Sequence, residues 1–179
     1  MTFHNNALIH KSIGEKLHIS SYSILVSCNG AVKRTVSLKA FKKPKRQVSK
    51  VFIHCSATDS LKHDNIQIIT QWHLERGFNG IGYHFFIDKK GVLHKGRSLE
   101  NIPASQKGHN TGSIAICVSG LNDFTKASLS TLKALCEAIN ISYNNNITFH
   151  GHCEVSNKSC PVFDYKSILK LDKNGKAKL

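Results

Sequence analysis

Two imidazoles and one thiol, distant in the chain, are of the types that a hydrolytic metal centre requires: His54, His152 and Cys160. A zinc that does chemistry takes three protein ligands from His, Cys or carboxylate and keeps a further position open for water. His54 ends the apolar run Val51-Phe52-Ile53, and His152 opens the segment His152-Cys153-Glu154-Val155-Ser156-Asn157-Lys158-Ser159-Cys160. Each has a plainer reading alone. A histidine at a strand end is commonly structural or exposed, and a cysteine before Pro161 can be only a buried thiol. The three make a site only if the fold brings them together.

The elements around them are mixed. Val51 to His54 suits a short buried strand. Asp64-Asn65-Ile66-Gln67 resembles a capping box, and Ile66, Ile69 and Trp72 recur at helical spacing up to Gly77, which suits a C-terminal cap. Ile81 to Ile87, the turn Asp88-Lys89-Lys90-Gly91 and Val92 to Gly96 read as a β-hairpin. Ile114 to Val118 is apolar enough for a central strand, and Leu129, Leu132, Leu135, Cys136 and Ile139 mark an amphipathic helix. Ile147 to Phe149 form a short strand that delivers His150 and His152, and Asp164 to Leu171 reads as a closing helix. Strands interleaved with helices give an α/β domain with its candidate ligands at strand ends and in loops.

Residues 1–50 show no sustained period, and Phe41-Lys42-Lys43-Pro44-Lys45-Arg46 reads as a charged, proline-broken linker. The boundary falls near Ser49: residues 1–49 form a basic N-terminal extension of unknown fold, and residues 50–179 form the domain. The charge divides the same way, +9 over residues 1–50 and +5 over the remainder. Such an excess attracts anionic partners without choosing among nucleic acid, acidic lipid and envelope polymers. The six cysteines are scattered, and a chain of 179 residues can build a core without disulfides, so free or metal-bound thiols are expected. No run approaches the roughly 20 apolar residues of a membrane span. The start, Met1-Thr2-Phe3-His4-Asn5-Asn6, lacks the basic and apolar regions of a secretory signal. The expectation is therefore synthesis in the cytoplasm.

From about Lys50 to Leu171 the chain resembles the zinc-dependent N-acetylmuramoyl-L-alanine amidases of the phage lysozyme and peptidoglycan recognition protein superfamily. The resemblance is carried by His54-Cys55-Ser56-Ala57-Thr58, Gln71-Trp72-His73, Gly82-Tyr83-His84-Phe85, Lys107-Gly108-His109-Asn110, Ser113-Ile114, and His152 through Cys160-Pro161. It implies a central, mostly mixed β-sheet flanked by helices, with zinc on His54, His152 and Cys160. It also implies catalytic roles for Tyr83 and Lys158. Where relatives often have a histidine, this chain has Ser105, a departure that bears on one substrate-groove contact and not on the metal.

The implied chemistry suits these residue types. Zinc lowers the pKa of a bound water to about 7 and polarises a carbonyl, which answers the two weaknesses of amide hydrolysis in water. Lys158 can set a positive charge against the developing oxyanion, and Tyr83 can donate a hydrogen bond or orient the water. Without the resemblance, Tyr83 reads as a packed strand tyrosine and Lys158 as a solvated loop lysine. His150 reads as a supporting or exposed residue, Glu154 as half of an ion pair, and His73 and Trp72 as parts of their helix. Cys55 and Cys153, beside ligands on extended backbone, should face away from them, and His84 should face away from Tyr83.

The expected function is cleavage of the amide between N-acetylmuramic acid and L-alanine in peptidoglycan. The expected setting is a phage or prophage endolysin that acts on the cell wall after release or export. A bacterial effector or recycling amidase is the alternative setting. The alternative function is a non-catalytic peptidoglycan-binding module, a role that superfamily members lacking the cysteine ligand have. Residues 1–49 are expected to contact an anionic envelope; neither nucleic acid nor stable membrane insertion is expected.

Overall fold

The computed structural model describes the backbone of residues 21–26 and 34–39, and residues 41–178 in full. Met1 to Asn6, Cys28 and Lys33 lie outside the described residues. β1 (Ser21–Val26) and β2 (Arg34–Lys39) pair antiparallel as a separate two-stranded sheet, with Ser21 opposite Lys39 and Val26 opposite Arg34. The sequence showed no sustained period here because six residues hold only two or three repeats of a strand pattern.

The main sheet has five strands: β3 (Lys50–Cys55), β4 (Phe85–Ile87), β5 (Leu93–Lys95), β6 (Ser113–Val118) and β7 (Thr148–Gly151). Their order is β5-β4-β6-β3-β7, and only the β4–β5 pair is antiparallel. This is the expected mixed sheet. The hairpin is shorter than its apolar pattern, since residues 81–84 approach β4 as irregular chain. Its turn is tied by Asp88, whose carboxylate accepts the Val92 N–H at 2.8 Å.

The sheet is covered on both faces. α1 (Ile66–Glu75) begins at Asn65, whose side chain accepts the Gln67 N–H at 2.8 Å. The capping residue is thus Asn65 and not Asp64, because the Asp64 carboxylate is taken by the Lys89 N–H at 2.9 Å. α2 (Lys126–Ser142) starts at the cap Thr125, and α3 (Tyr165–Leu169) starts at Asp164. Leu132, Leu135, Ile139 and Leu169 pack with Val51, Ile53, Ile114 and Ile116, forming the larger core. On the other face Ile69 of α1 packs with Phe86 and Cys117. Alternation along β3 sends Val51 and Ile53 into the larger core and turns Phe52 and His54 to the opposite face.

Residues 41–49 are part of this packing. Phe41 and Val48 lie against the larger core, and the Phe41 ring is 6.3 Å from Phe85 and 6.4 Å from Tyr143. The Arg46 guanidinium donates to the carbonyls of Leu99 at 2.6 Å and Ser113 at 2.8 Å. Phe41 to Arg46 read as a linker from their charge and proline, but here the Phe41 ring packs on the core and the Arg46 guanidinium holds two backbone carbonyls. At the far end of the chain, Gly175 hands its carbonyl to the Phe149 N–H at 2.8 Å, on the side of β7 away from β3. Gly175 has φ of +76°, and a Cβ there would stand 2.8 Å from the Phe149 carbonyl oxygen, so only glycine fits.

Candidate active site

Strand register brings the two histidines together. β3 runs parallel to β7, with Ile53 opposite Gly151. The next residue on each chain is His54 and His152, and their rings lie 4.7 Å apart between centroids. Gly151 permits the approach of the following loop: a Cβ there would meet the Tyr165 ring at 2.7 Å and Pro161 at 3.0 Å. That loop leaves through a short 3₁₀ turn, His152–Glu154, and returns Cys160 to the end of β3. The Cys160 sulfur accepts the Cys55 N–H at 3.2 Å and lies 3.9 Å from His54 Nδ1. One donor atom from each of His54, His152 and Cys160 lies within 4.8 Å of the other two.

The electrostatics fit a cation. Burial pushes the His54 pKa down to about 3, with His152 adding to the effect. Burial, then the Lys158 charge, also lowers His152. Both imidazoles are therefore neutral near pH 7 and offer lone pairs. A hydrogen bond with Cys55, reinforced by burial, pushes the Cys160 thiol well up. Such a thiol ionises readily only against a positive ion. Two neutral imidazoles and a thiol of this kind are a donor set suited to zinc.

The group opens into a cavity of about 960 Å³ whose lining includes Tyr83, Lys158, Trp72, Arg76 and Lys107. The Tyr83 ring is 5.1 Å from that of His54, and burial pushes its phenol well up, so it stays protonated and can donate. Lys158 is exposed on the loop between His152 and Cys160. Trp72 stands edge-on to His63 at 4.7 Å and lines the cavity, so it is more than a helix-packing residue. His73 also reaches the cavity, but its Nδ1 accepts the Gly82 N–H at 3.0 Å.

Other residues near His54, His152 and Cys160 have separate occupations. His150 bonds Glu154 at 2.7 Å and the Thr148 hydroxyl at 2.8 Å. Glu154 also pairs with Lys166 at 3.3 Å and accepts the Tyr165 hydroxyl. His84 turns away from Tyr83: its Nδ1 accepts the Ala115 N–H at 3.0 Å, and its Nε2 lies 3.0 Å from the Asn101 carbonyl. Cys153 is exposed.

Two features differ from the sequence reading. Cys55 lines the cavity and its backbone N–H donates to the Cys160 sulfur, because Cys160 approaches β3 from its end, where strand alternation no longer separates neighbours. Ser105 reaches the His54 side chain through its neighbour. Its hydroxyl donates to Gln106 Oε1, and that oxygen lies 3.1 Å from His54 Nε2. Gln106 had no signal beyond its place beside Lys107-Gly108-His109-Asn110.

A family model for N-acetylmuramoyl-L-alanine amidases matches residues 44–163. The chain belongs to the N-acetylmuramoyl-L-alanine amidase family. Among relatives, the endolysins of Escherichia phage T7 and Enterobacteria phage T3 are each 34% identical over 132 residues, spanning 69% of this chain and 87% of theirs. The solved amidase LysC from Clostridium intestinale is 27% identical with a TM-score of 0.63, over 70% of this chain and 85% of LysC. Drosophila peptidoglycan recognition protein SD, at 21% identity and a TM-score of 0.60, covers 76% of this chain and 92% of its own and shares the fold. The protein is an N-acetylmuramoyl-L-alanine amidase, a hydrolase of peptidoglycan, as its motifs implied. The family match begins at residue 44, consistent with the packing of Arg46 on the amidase domain.

Proposed function

We propose that this amidase binds one zinc ion through His54, His152 and Cys160 and cleaves the bond between the lactyl group of N-acetylmuramic acid and L-alanine. The observation that carries the reading is the meeting of three donor atoms within 4.8 Å at a large cavity. A bound zinc there supplies Lewis acidity for the amide carbonyl and an activated water.

The protein's own residues do the rest. The Cys55 N–H steadies negative charge on the Cys160 sulfur. Lys158, exposed on the same loop, meets the developing oxyanion with positive charge, and the Tyr83 hydroxyl donates a hydrogen bond to the reacting group. Arg76, Lys107 and Lys158 line the cavity, and among the described residues no carboxylate does. That balance favours a substrate with free carboxylates, as a peptidoglycan stem peptide has. The phage relatives support a role as an endolysin of a phage or prophage, acting on the cell wall. No helix among the described residues is long and apolar enough to cross a membrane.

The test is hydrolysis of purified murein, followed as newly freed L-alanine amino groups with and without a chelator. Chelation should abolish release and added zinc restore it. Tyr83→Phe should lower kcat while retaining zinc and murein binding. Turnover that survives chelation would overturn the reading, as would stoichiometric zinc in Cys160→Ala.

A further inference from the structure

Gln106 is 1% exposed although it lies in an irregular loop at the cavity. Burying a primary amide is costly unless its polar atoms find partners. Oε1 lies 3.1 Å from His54 Nε2 and accepts the Ser105 hydroxyl. Nε2 donates to Ser113 Oγ at 2.9 Å. The loop is tied in turn by Asn110, whose side-chain oxygen accepts the N–H groups of Ser105 at 3.1 Å and Gln106 at 3.0 Å.

Counting protons decides which way the amide faces. By shape alone its oxygen and nitrogen are interchangeable. The Ser113 hydroxyl, however, donates to the Asn110 carbonyl at 2.7 Å. It has only lone pairs left for Gln106, so Gln106 presents its NH₂ to Ser113 and its oxygen to His54. An amide oxygen is an acceptor only, so His54 Nε2 carries the proton. The His54 lone pair is then on Nδ1, the nitrogen 3.9 Å from the Cys160 sulfur.

We propose that Gln106 is a positioning residue for His54: it selects the Nε2–H tautomer and so holds Nδ1 ready to ligate the metal. The proposal rests on the zinc reading above. Ligating histidines generally give their second N–H to an acceptor, and losing that acceptor costs about 10–100-fold in metal affinity. A glutamine does this without adding a second negative charge beside the Cys160 thiolate.

Two measurements on the full-length protein test it. In metal-free protein with ¹⁵N-labelled histidine, long-range proton–nitrogen spectra report the His54 tautomer, assigned by the signal lost in His54→Gln. The wild type should be Nε2–H, and Gln106→Leu a mixture of tautomers. Zinc affinity, measured by competition with a chromophoric chelator, should fall about 10–100-fold in Gln106→Leu. Gln106→Glu, which keeps an acceptor while the Ser113 hydroxyl turns to donate, should retain wild-type affinity. An Nδ1–H tautomer in the metal-free wild type would overturn the proposal, as would wild-type affinity in Gln106→Leu. If Gln106→Leu does not fold, the wild-type spectrum decides by itself. Failure of the zinc reading shows separately, as stoichiometric zinc in Cys160→Ala with the Nε2–H tautomer unchanged.

Discussion

His54 stands near the end of β3, a strand hydrogen-bonded on both sides, whereas Cys160 arrives on a loop outside the sheet. The histidine is 1% exposed, between Gln106 and Tyr83. The cysteine is partly exposed, and its neighbours Lys158 and Ser159 are exposed. The sheet thus encloses His54, while the loop leaves Cys160 and Lys158 nearer to solvent. Opening a loop costs less free energy than opening the centre of a sheet. The two sides should therefore respond differently to the same kind of damage.

The largest effect comes from removing either proposed ligand. His54→Ala and Cys160→Ala should each lower murein hydrolysis by at least about a thousandfold, since both dismantle the proposed metal site. Their metal-free forms should differ in urea unfolding. His54→Ala should lose roughly 2–4 kcal/mol, through a cavity and the loss of one of the hydrogen bonds of buried Gln106, and Cys160→Ala should lose less. Equal losses would mean the two sides are equally stiff.

Next comes Lys158→Ala. It should reduce kcat by roughly tenfold to a thousandfold. Zinc content and melting temperature should not change, because the side chain is exposed on the loop side. A lowered melting temperature would place Lys158 with the structural residues.

The sheet side can be tested from residues 41–49. A chain beginning at Phe41 and one beginning at Ser49 should differ by about 3–5 kcal/mol in unfolding free energy. The shorter chain loses the Phe41 contacts and both Arg46 hydrogen bonds. Equal stability would restore a domain boundary near Ser49.

The smallest effect is a pH dependence at His84, which is buried as the neutral form. Burial pushes its pKa down to about 4, and Arg46 adds to this. Below its ordinary value near 6.5 the unfolded chain binds the proton first. The stability His84 contributes is therefore complete above about pH 6.5 and declines as pH falls toward 4, by on the order of 2–3 kcal/mol. Urea unfolding of the metal-free protein should show this decline, and His84→Gln should reduce it. An undiminished decline in His84→Gln would assign it to other groups.

Both sides were unequally legible in the sequence. Val51-Phe52-Ile53-His54 announces a buried strand with a polar end, and the helix periods of Ile66 to Trp72 and Leu129 to Ile139 lie within α1 and α2. The motif from His152 to Cys160 pointed to the loop residues whose donor atoms meet that of His54. What pairing and proton placement decide was not legible. Cys55 faces the site because Cys160 comes around a strand end, and no alternation rule describes that approach. Gln106 acquires meaning only when a loop 52 positions away folds over His54. Arg46 read as linker charge because its partners, the carbonyls of Leu99 and Ser113, are backbone atoms that no residue type advertises.

The Gly175 carbonyl on Phe149 bears on crowding more than on chemistry. β7 is the last strand of its sheet, and an open strand edge is a template on which a second copy can add. The turn around Gly175 occupies that edge from within the same chain. Gly175→Val, incompatible with φ of +76° and with the nearby Phe149 carbonyl, should free it. The damage would then appear as self-association that grows with protein concentration, while molecules still dispersed keep the proposed metal site.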